Sequence, residues 1–188
     1  VPLLIEMMKI LAKDADRDFR LLIAGAGPLA ETLESEGQKL GEKKIVQFGH
    51  LDKETLANYY ANVDVFVHPN PREPFGIAPL EAMASGVATV APNAGGILSY
   101  ATDKNIWLTE PTGEAFADAV RDAASNEAAR ERKIAAALET ARSNTREAST
   151  DNLFATYDKL YDYFQENLAL FTDREAASAF SFTELLDV

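Results

Sequence analysis

Cysteine is absent, and the 188 residues include only two histidines, His50 and His68. Without a thiol the chain builds no disulfide framework, thiolate nucleophile, zinc finger or iron–sulfur cluster, and two imidazoles offer little with which to hold a metal, so no metal site is expected. No apolar run approaches the roughly eighteen residues that a membrane helix requires, and no charged, apolar, small-residue leader opens the sequence. A soluble, cytoplasmic protein is the expectation. Basic charge is scarce too: 18 Lys and Arg face 30 Asp and Glu, a formal charge of −12. On average that balance repels nucleic-acid backbones and anionic membranes. Helix N-termini and loop amides can still hold an anion locally, because they need no side-chain charge.

What the sequence does hold is an ordinary folded composition, 47% hydrophobic and 26% charged, which excludes collagen-like, mucin-like and wholly disordered chains. Its length suits one well-packed domain. Because it opens at Val1 directly in an apolar helical pattern, it reads as a fragment with sequence upstream.

Leu3, Leu4, Met7, Met8, Ile10 and Leu11 recur three or four apart and predict an amphipathic helix over 2–13. Residues 20–24 form an apolar run closed by Gly25-Ala-Gly-Pro28, the pattern of a buried strand entering a turn. Alternation continues with a helix at 29–40, a strand at 45–48, a helix at 53–62, a strand at 63–67, a helix at 76–85 stopped by Gly86, a strand at 87–91 and a short one at 105–108. Strands alternating with helices of this length predict βαβ units, so the fold class is α/β, a Rossmann-like parallel sheet with flanking helices. Ligands bind such sheets outside the carboxyl ends of the strands, which directs attention to the loops at 25–28, 49–52, 68–76 and 92–96.

From Pro111 the pattern is helical, over 113–124, 127–142 and about 148–167, giving a helical C-terminal extension. Phe154, Tyr157, Tyr161 and Phe164 fall three or four apart, with Phe171, Phe180 and Phe182 beyond them. Either this stripe packs on its own domain or it meets a partner domain. Residues 1–167 are expected to form the domain and 168–188 an acidic tail.

The segment from His68 to Gly86 carries the chemistry. Pro69, Pro71 and Pro74 stiffen it, Gly76 permits close backbone approach, and Pro79 fits a first helical turn without wasting a donor. The amides of Gly76, Ile77 and Ala78 are then free to meet a phosphate, helped by the helix dipole, and Glu81 is expected in that same first turn. A carboxylate there matches the two adjacent hydroxyls of a ribose, while Glu73 can reach hydroxyls of a second sugar. The alternative is that Glu81 stabilises the helix start and Glu73 is a solvated loop acid.

Glu73-Pro-Phe-Gly-Ile-Ala-Pro-Leu-Glu81-Ala-Met-Ala-Ser-Gly86, taken with Gly25-Ala-Gly-Pro28, Val46-Gln-Phe-Gly49, Asp64-Val-Phe-Val-His-Pro69 and Ala94-Gly-Gly96, resembles the C-terminal half of glycosyltransferase family 4 over about residues 3–165. The resemblance implies a GT-B enzyme with two Rossmann-like halves. The nucleotide-sugar donor would lie on the C-terminal half and the acceptor, a sugar or lipid-linked sugar, on an N-terminal half absent here. Transfer would retain anomeric configuration without a metal or other cofactor. It further implies that Glu81 binds the ribose and that Glu73, the candidate catalytic residue, binds the donor sugar. The amides of Phe75, Gly76 and Ile77 would face the diphosphate and sugar, with Ala78 beside them. Phe48, Gly49, His50 and Leu51 would flank the base, Gly27 would lie against the nucleotide, and His68, Gly95 and Gly96 are further candidates.

One departure stands out. Family members carry a strand with a Gly-Arg pair and then a Lys, cations that meet the diphosphate, and no such strand precedes the first helix here. In the expected order 3-2-1-4-5-6 that strand is central, so a gap or a rearranged sheet is predicted. Arg72 is the only cation inside the loop, either solvated or facing an anion. Three other readings compete. Gly25-x-Gly27-x-x-Ala30 fits a dinucleotide fingerprint, but Phe48-Gly-His-Leu51 stands where an acid should hold the ribose. A GT-B-type sugar-nucleotide epimerase would need acid/base residues that the sequence does not place. A non-catalytic nucleotide-sugar-binding module would bind without transferring.

Overall fold

Pro2 opens the first helix, α1 (Pro2–Leu11), where its missing N–H costs nothing, and the apolar stripe that follows buries Leu4, Ile5, Met7, Met8 and Leu11. The computed structural model describes residues 1–173 and Ser178. After α1 the chain alternates: β1 (Leu21–Ala24), α2 (Ala30–Leu40), β2 (Ile45–Gly49), α3 (Lys53–Asn62), β3 (Val65–Val67), α4 (Ile77–Ala84), β4 (Ala88–Pro92), a 3-10 turn at Gly96–Ser99, β5 (Trp107–Thr109), α5 (Gly113–Ser125) and α6 (Glu127–Ser143). Capping residues set several boundaries. Asp52 accepts the Thr55 amide at 2.8 Å to start α3, and the Thr112 hydroxyl accepts the Ala115 amide at 3.3 Å to start α5.

All strand pairs are parallel, in two sheets: β1 beside β2, and β3-β4-β5 in that order. The predicted gap is therefore present, since the expected order with its central strand removed leaves this pair and this trio. Its physical trace is burial. All five residues of β4, flanked on both edges, are buried, whereas Leu22 of β1, with one neighbour, is 40% exposed. A single large core joins the two sheets: Leu4, Met7, Met8 and Leu11 from α1 meet Ala88 and Val90 from β4 and Phe116, Ala117 and Val120 from α5, with Leu21, Ile45, Val65 and Val67 packed against them. Each large apolar side chain buried here contributes about 1.5–3 kcal/mol. A second cluster, Met83, Ala91, Ile97, Tyr100, Ile106 and Ala137, lies where α4, β4, the 95–101 segment and α6 meet.

Two compact units result, Val1–Ser143 and a second beginning at Asn144. The second holds α7 (Arg146–Glu166), capped by the Thr145 hydroxyl, and α8 (Ala169–Thr172). No residue of α7 is buried, and Phe154, Tyr157 and Tyr161 are all exposed. Within this unit the rings of Phe164 and Phe171 meet at a tilt of 59° with centroids 4.7 Å apart. Phe180, Phe182 and all of the expected tail beyond Asp173 except Ser178 lie outside the described residues. Among the described residues no helix is long and apolar enough to cross a membrane.

Candidate donor site

Strand β3 ends at Val67, and the His68 amide still pairs with the Val90 carbonyl at 2.9 Å, which fixes where the proline-rich segment begins. Within it Asn70 ties the turn together: its Oδ1 accepts the Arg72 amide at 3.1 Å and its Nδ2 donates to Glu73 Oε2 at 3.1 Å. His68 Nε2 faces the same carboxylate oxygen at 3.6 Å, is buried and has no hydrogen-bond partner. Burial holds the imidazole pKa below its ordinary value, while the Glu73 charge pulls the other way. The neutral form is thereby favoured. Arg72 is exposed.

Gly76 turns the chain. Its φ of 94° and ψ of 69° lie in the left-handed region, so it ends the loop and α4 begins one residue later than the sequence pattern predicts. Ile77 and Ala78 then have no intrahelical acceptor, and Pro79, buried in the first turn, has no N–H to satisfy. The amides of Phe75, Gly76, Ile77 and Ala78 donate to no protein group among the described residues. Phe75 and Ile77 themselves are exposed.

The shifted start corrects the position of Glu81. It is the fifth residue of α4, beyond the first turn in which it was expected, because left-handed Gly76 cannot be helical. The dipole effect fades within the first turn. Stabilising the helix start is thus a poor account of Glu81. Its side chain is exposed, and its Oε2 accepts the hydroxyl of Tyr60 from α3 at 3.4 Å. Burial, with help from the Glu81 charge, pushes the Tyr60 phenol up to about 12, so the hydroxyl stays a donor.

Gly95 and Gly96, expected as neighbours of the site, lie against its turn. The Gly96 amide donates to the Glu73 carbonyl at 2.7 Å, a Cβ on Gly96 would overlap the Pro74 carbonyl, and one on Gly95 would sit 3.0 Å from the carbonyls of Pro71 and Glu73. They are the backing of the turn. Tyr100 completes that backing, its hydroxyl donating to the Gly76 carbonyl at 2.5 Å. The sequence reading missed Asn70, Tyr60 and Tyr100. Asn70 lay inside the segment already singled out. Nothing local pointed to Tyr100, whose partner is 24 residues away.

The remaining candidates form a second group at the ends of β1 and β2. The Gly25 amide donates to the Gly49 carbonyl at 2.6 Å, joining the two loops, and Phe48 packs on Tyr59 with centroids 4.8 Å apart. A Cβ at Gly25, Gly27 or Gly49 would meet nothing within 4 Å, so the backbone there borders open space. His50 is exposed and Leu51 half-buried. No hydrogen bond joins this group to the Glu73–Glu81 group among the described residues. A separate cavity of about 640 Å³ opens between α2 and β2, lined by Glu34, Gln38, Glu42, Lys43 and Gln47 among others. It lacks the turn's free amides.

Known proteins are similar to this chain in sequence and fold. The family model for "Glycosyl transferases group 1" matches residues 1–140. A GDP-mannose-dependent alpha-(1-6)-phosphatidylinositol dimannoside mannosyltransferase of Mycobacterium tuberculosis is 34% identical over 123 residues, 65% of this chain and 32% of that protein. Two solved structures have the same fold. The C-terminal domain of a glycosyl transferase group 1 family protein from Francisella tularensis has a TM-score of 0.65 at 25% identity, covering 76% of this chain and 77% of that one. Anabaena HepE in complex with UDP-glucose has a TM-score of 0.70 at 20% identity, covering 84% and 44%. The chain spans 15 to 42% of the length of eight curated relatives it matches. With strands, turn and glycine backing all inside the matched 140 residues, the chain belongs to the glycosyl transferases group 1 family and has the fold of a GT-B C-terminal half.

Proposed function

We propose that this chain is the donor-binding half of a retaining, metal-independent glycosyltransferase that moves a sugar from a nucleoside diphosphate to an acceptor hydroxyl. One observation carries the reading: four successive amides, Phe75 to Ala78, have no protein acceptor among the described residues and are bracketed in sequence by the carboxylates of Glu73 and Glu81. Amides preorganised where diphosphate charge develops do the work that cations do elsewhere. Glu81, exposed beyond the amides, takes the ribose hydroxyls, and Glu73, held by Asn70, takes the donor sugar. Gly27 and the Phe48–Leu51 segment flank the nucleotide, where the backbone borders open space. The named relative's GDP-mannose and the UDP-glucose of the HepE structure support a nucleotide-sugar donor and leave the base open between the two.

Retention here is front-face departure, in which the leaving phosphate takes the acceptor proton. The acceptor belongs on a further N-terminal half, so the 188 residues alone are expected to bind donor without transferring sugar. Calorimetry with UDP, GDP and NAD tests the binding: a nucleoside diphosphate binds and NAD does not. Glu81→Ala is expected to weaken nucleotide binding by about tenfold, the loss of a charge-assisted bidentate contact, with the fold intact. Tight NAD binding, or unchanged nucleotide affinity in the variant, would overturn the assignment.

A further inference from the structure

Tyr100 is buried at 9% exposure, and its ring meets Phe75 edge-on with centroids 5.3 Å apart. Its hydroxyl donates to the Gly76 carbonyl at 2.5 Å. Its own backbone is anchored from behind by Asn105, 6% exposed, whose Nδ2 donates to the Tyr100 carbonyl and to the Thr140 hydroxyl of α6, both at 2.9 Å, and whose Oδ1 accepts the Thr102 amide. A chain of hydrogen bonds therefore runs from α6 through Asn105 and Tyr100 to the turn.

Peptide geometry says what this does. In a trans peptide the carbonyl and the next N–H point in opposite directions within one plane. Pinning the Gly76 carbonyl on the Tyr100 side aims the Ile77 N–H away from it. Gly96, packed against the Pro74 carbonyl, acts likewise on the plane that carries the Phe75 N–H.

We propose that Tyr100 is a positioning residue of the donor site: its hydroxyl clamps the Gly76 carbonyl and so holds the amides at 75–77 in their anion-facing array before any ligand arrives. This rests on the donor reading above. The array is a feature of the free protein, and Tyr100 acts on the diphosphate through the turn without touching it.

The test is Tyr100→Phe, which keeps the ring against Phe75 and removes only the hydroxyl. In the free protein, 15N relaxation should show the amides of Phe75, Gly76 and Ile77 falling from rigid order parameters near 0.85 toward about 0.6 while β4 and α5 are unchanged. By calorimetry the variant should bind UDP or GDP about fivefold more weakly, the loss of one neutral hydrogen bond's ordering, and bind the corresponding nucleoside as the parent does. A merely structural role would weaken both ligands alike. Unchanged order in the turn, or equal loss for nucleoside and diphosphate, would overturn the proposal. Should the parent bind neither UDP nor GDP, the donor reading fails, and the clamp is then decided by the relaxation measurement alone.

Discussion

At the scale of single residues, the turn holds one buried imidazole in its neutral form. That imidazole is His68, with a buried and unpartnered Nε2 beside a carboxylate. Its pKa lies below the usual 6.5 because burial outweighs the attraction of Glu73. The unfolded chain therefore takes up the proton first as the pH drops, and the folded state loses stability from about pH 6.5 downward until the buried ring is protonated as well. Urea midpoints should decline between about pH 7 and 5.5 for the parent and stay level for His68→Gln. A parallel decline in the variant would place the titrating group elsewhere. Glu73 and Glu81 were legible in the sequence because their spacing within the 73–86 segment is local. Tyr60 and Tyr100 were not, because each meets its partner only after the strands have paired.

Elements were legible to within a residue or two wherever apolar periodicity or a capping residue marked them, as with Asp52 before α3 and Thr112 before α5. The start of α4 differs by a single residue, and that residue matters. Its apolar pattern runs through Gly76, and only the positive φ there shows that the helix waits until Ile77. That single dihedral places the free amides and moves Glu81 out of the first turn. Gly76→Ala tests its importance. An alanine must adopt a left-handed conformation, costing about 1–2 kcal/mol, and its Cβ would stand 2.7 Å from the Tyr100 hydroxyl, so the clamp bond, worth about 1 kcal/mol, is lost too. A loss of about 2–3 kcal/mol is expected, read as a lower urea midpoint at constant slope. A loss under about 0.5 kcal/mol would mean that the turn relaxes freely and is not preorganised.

On the scale of the whole molecule, the sheet gap and the charge belong together. Among the described residues no strand pairs between β1 and β3, where the family resemblance implies one that brings cations to the diphosphate, and the chain as given has a formal charge of −12. A nucleoside diphosphate approaching it meets long-range repulsion, screened as salt is added, and short-range attraction from amides and a helix terminus, which are partly sheltered from ions. A site built from lysine and arginine behaves in the opposite way, losing affinity steeply as counterions compete. Raising sodium chloride from about 20 to 200 mM should therefore leave UDP or GDP affinity level or slightly increased, since the Debye length falls from roughly 20 to 7 Å over that range. A tenfold loss of affinity would show a side-chain cation at the phosphate, and Arg72, exposed on the turn, would be the residue to replace first.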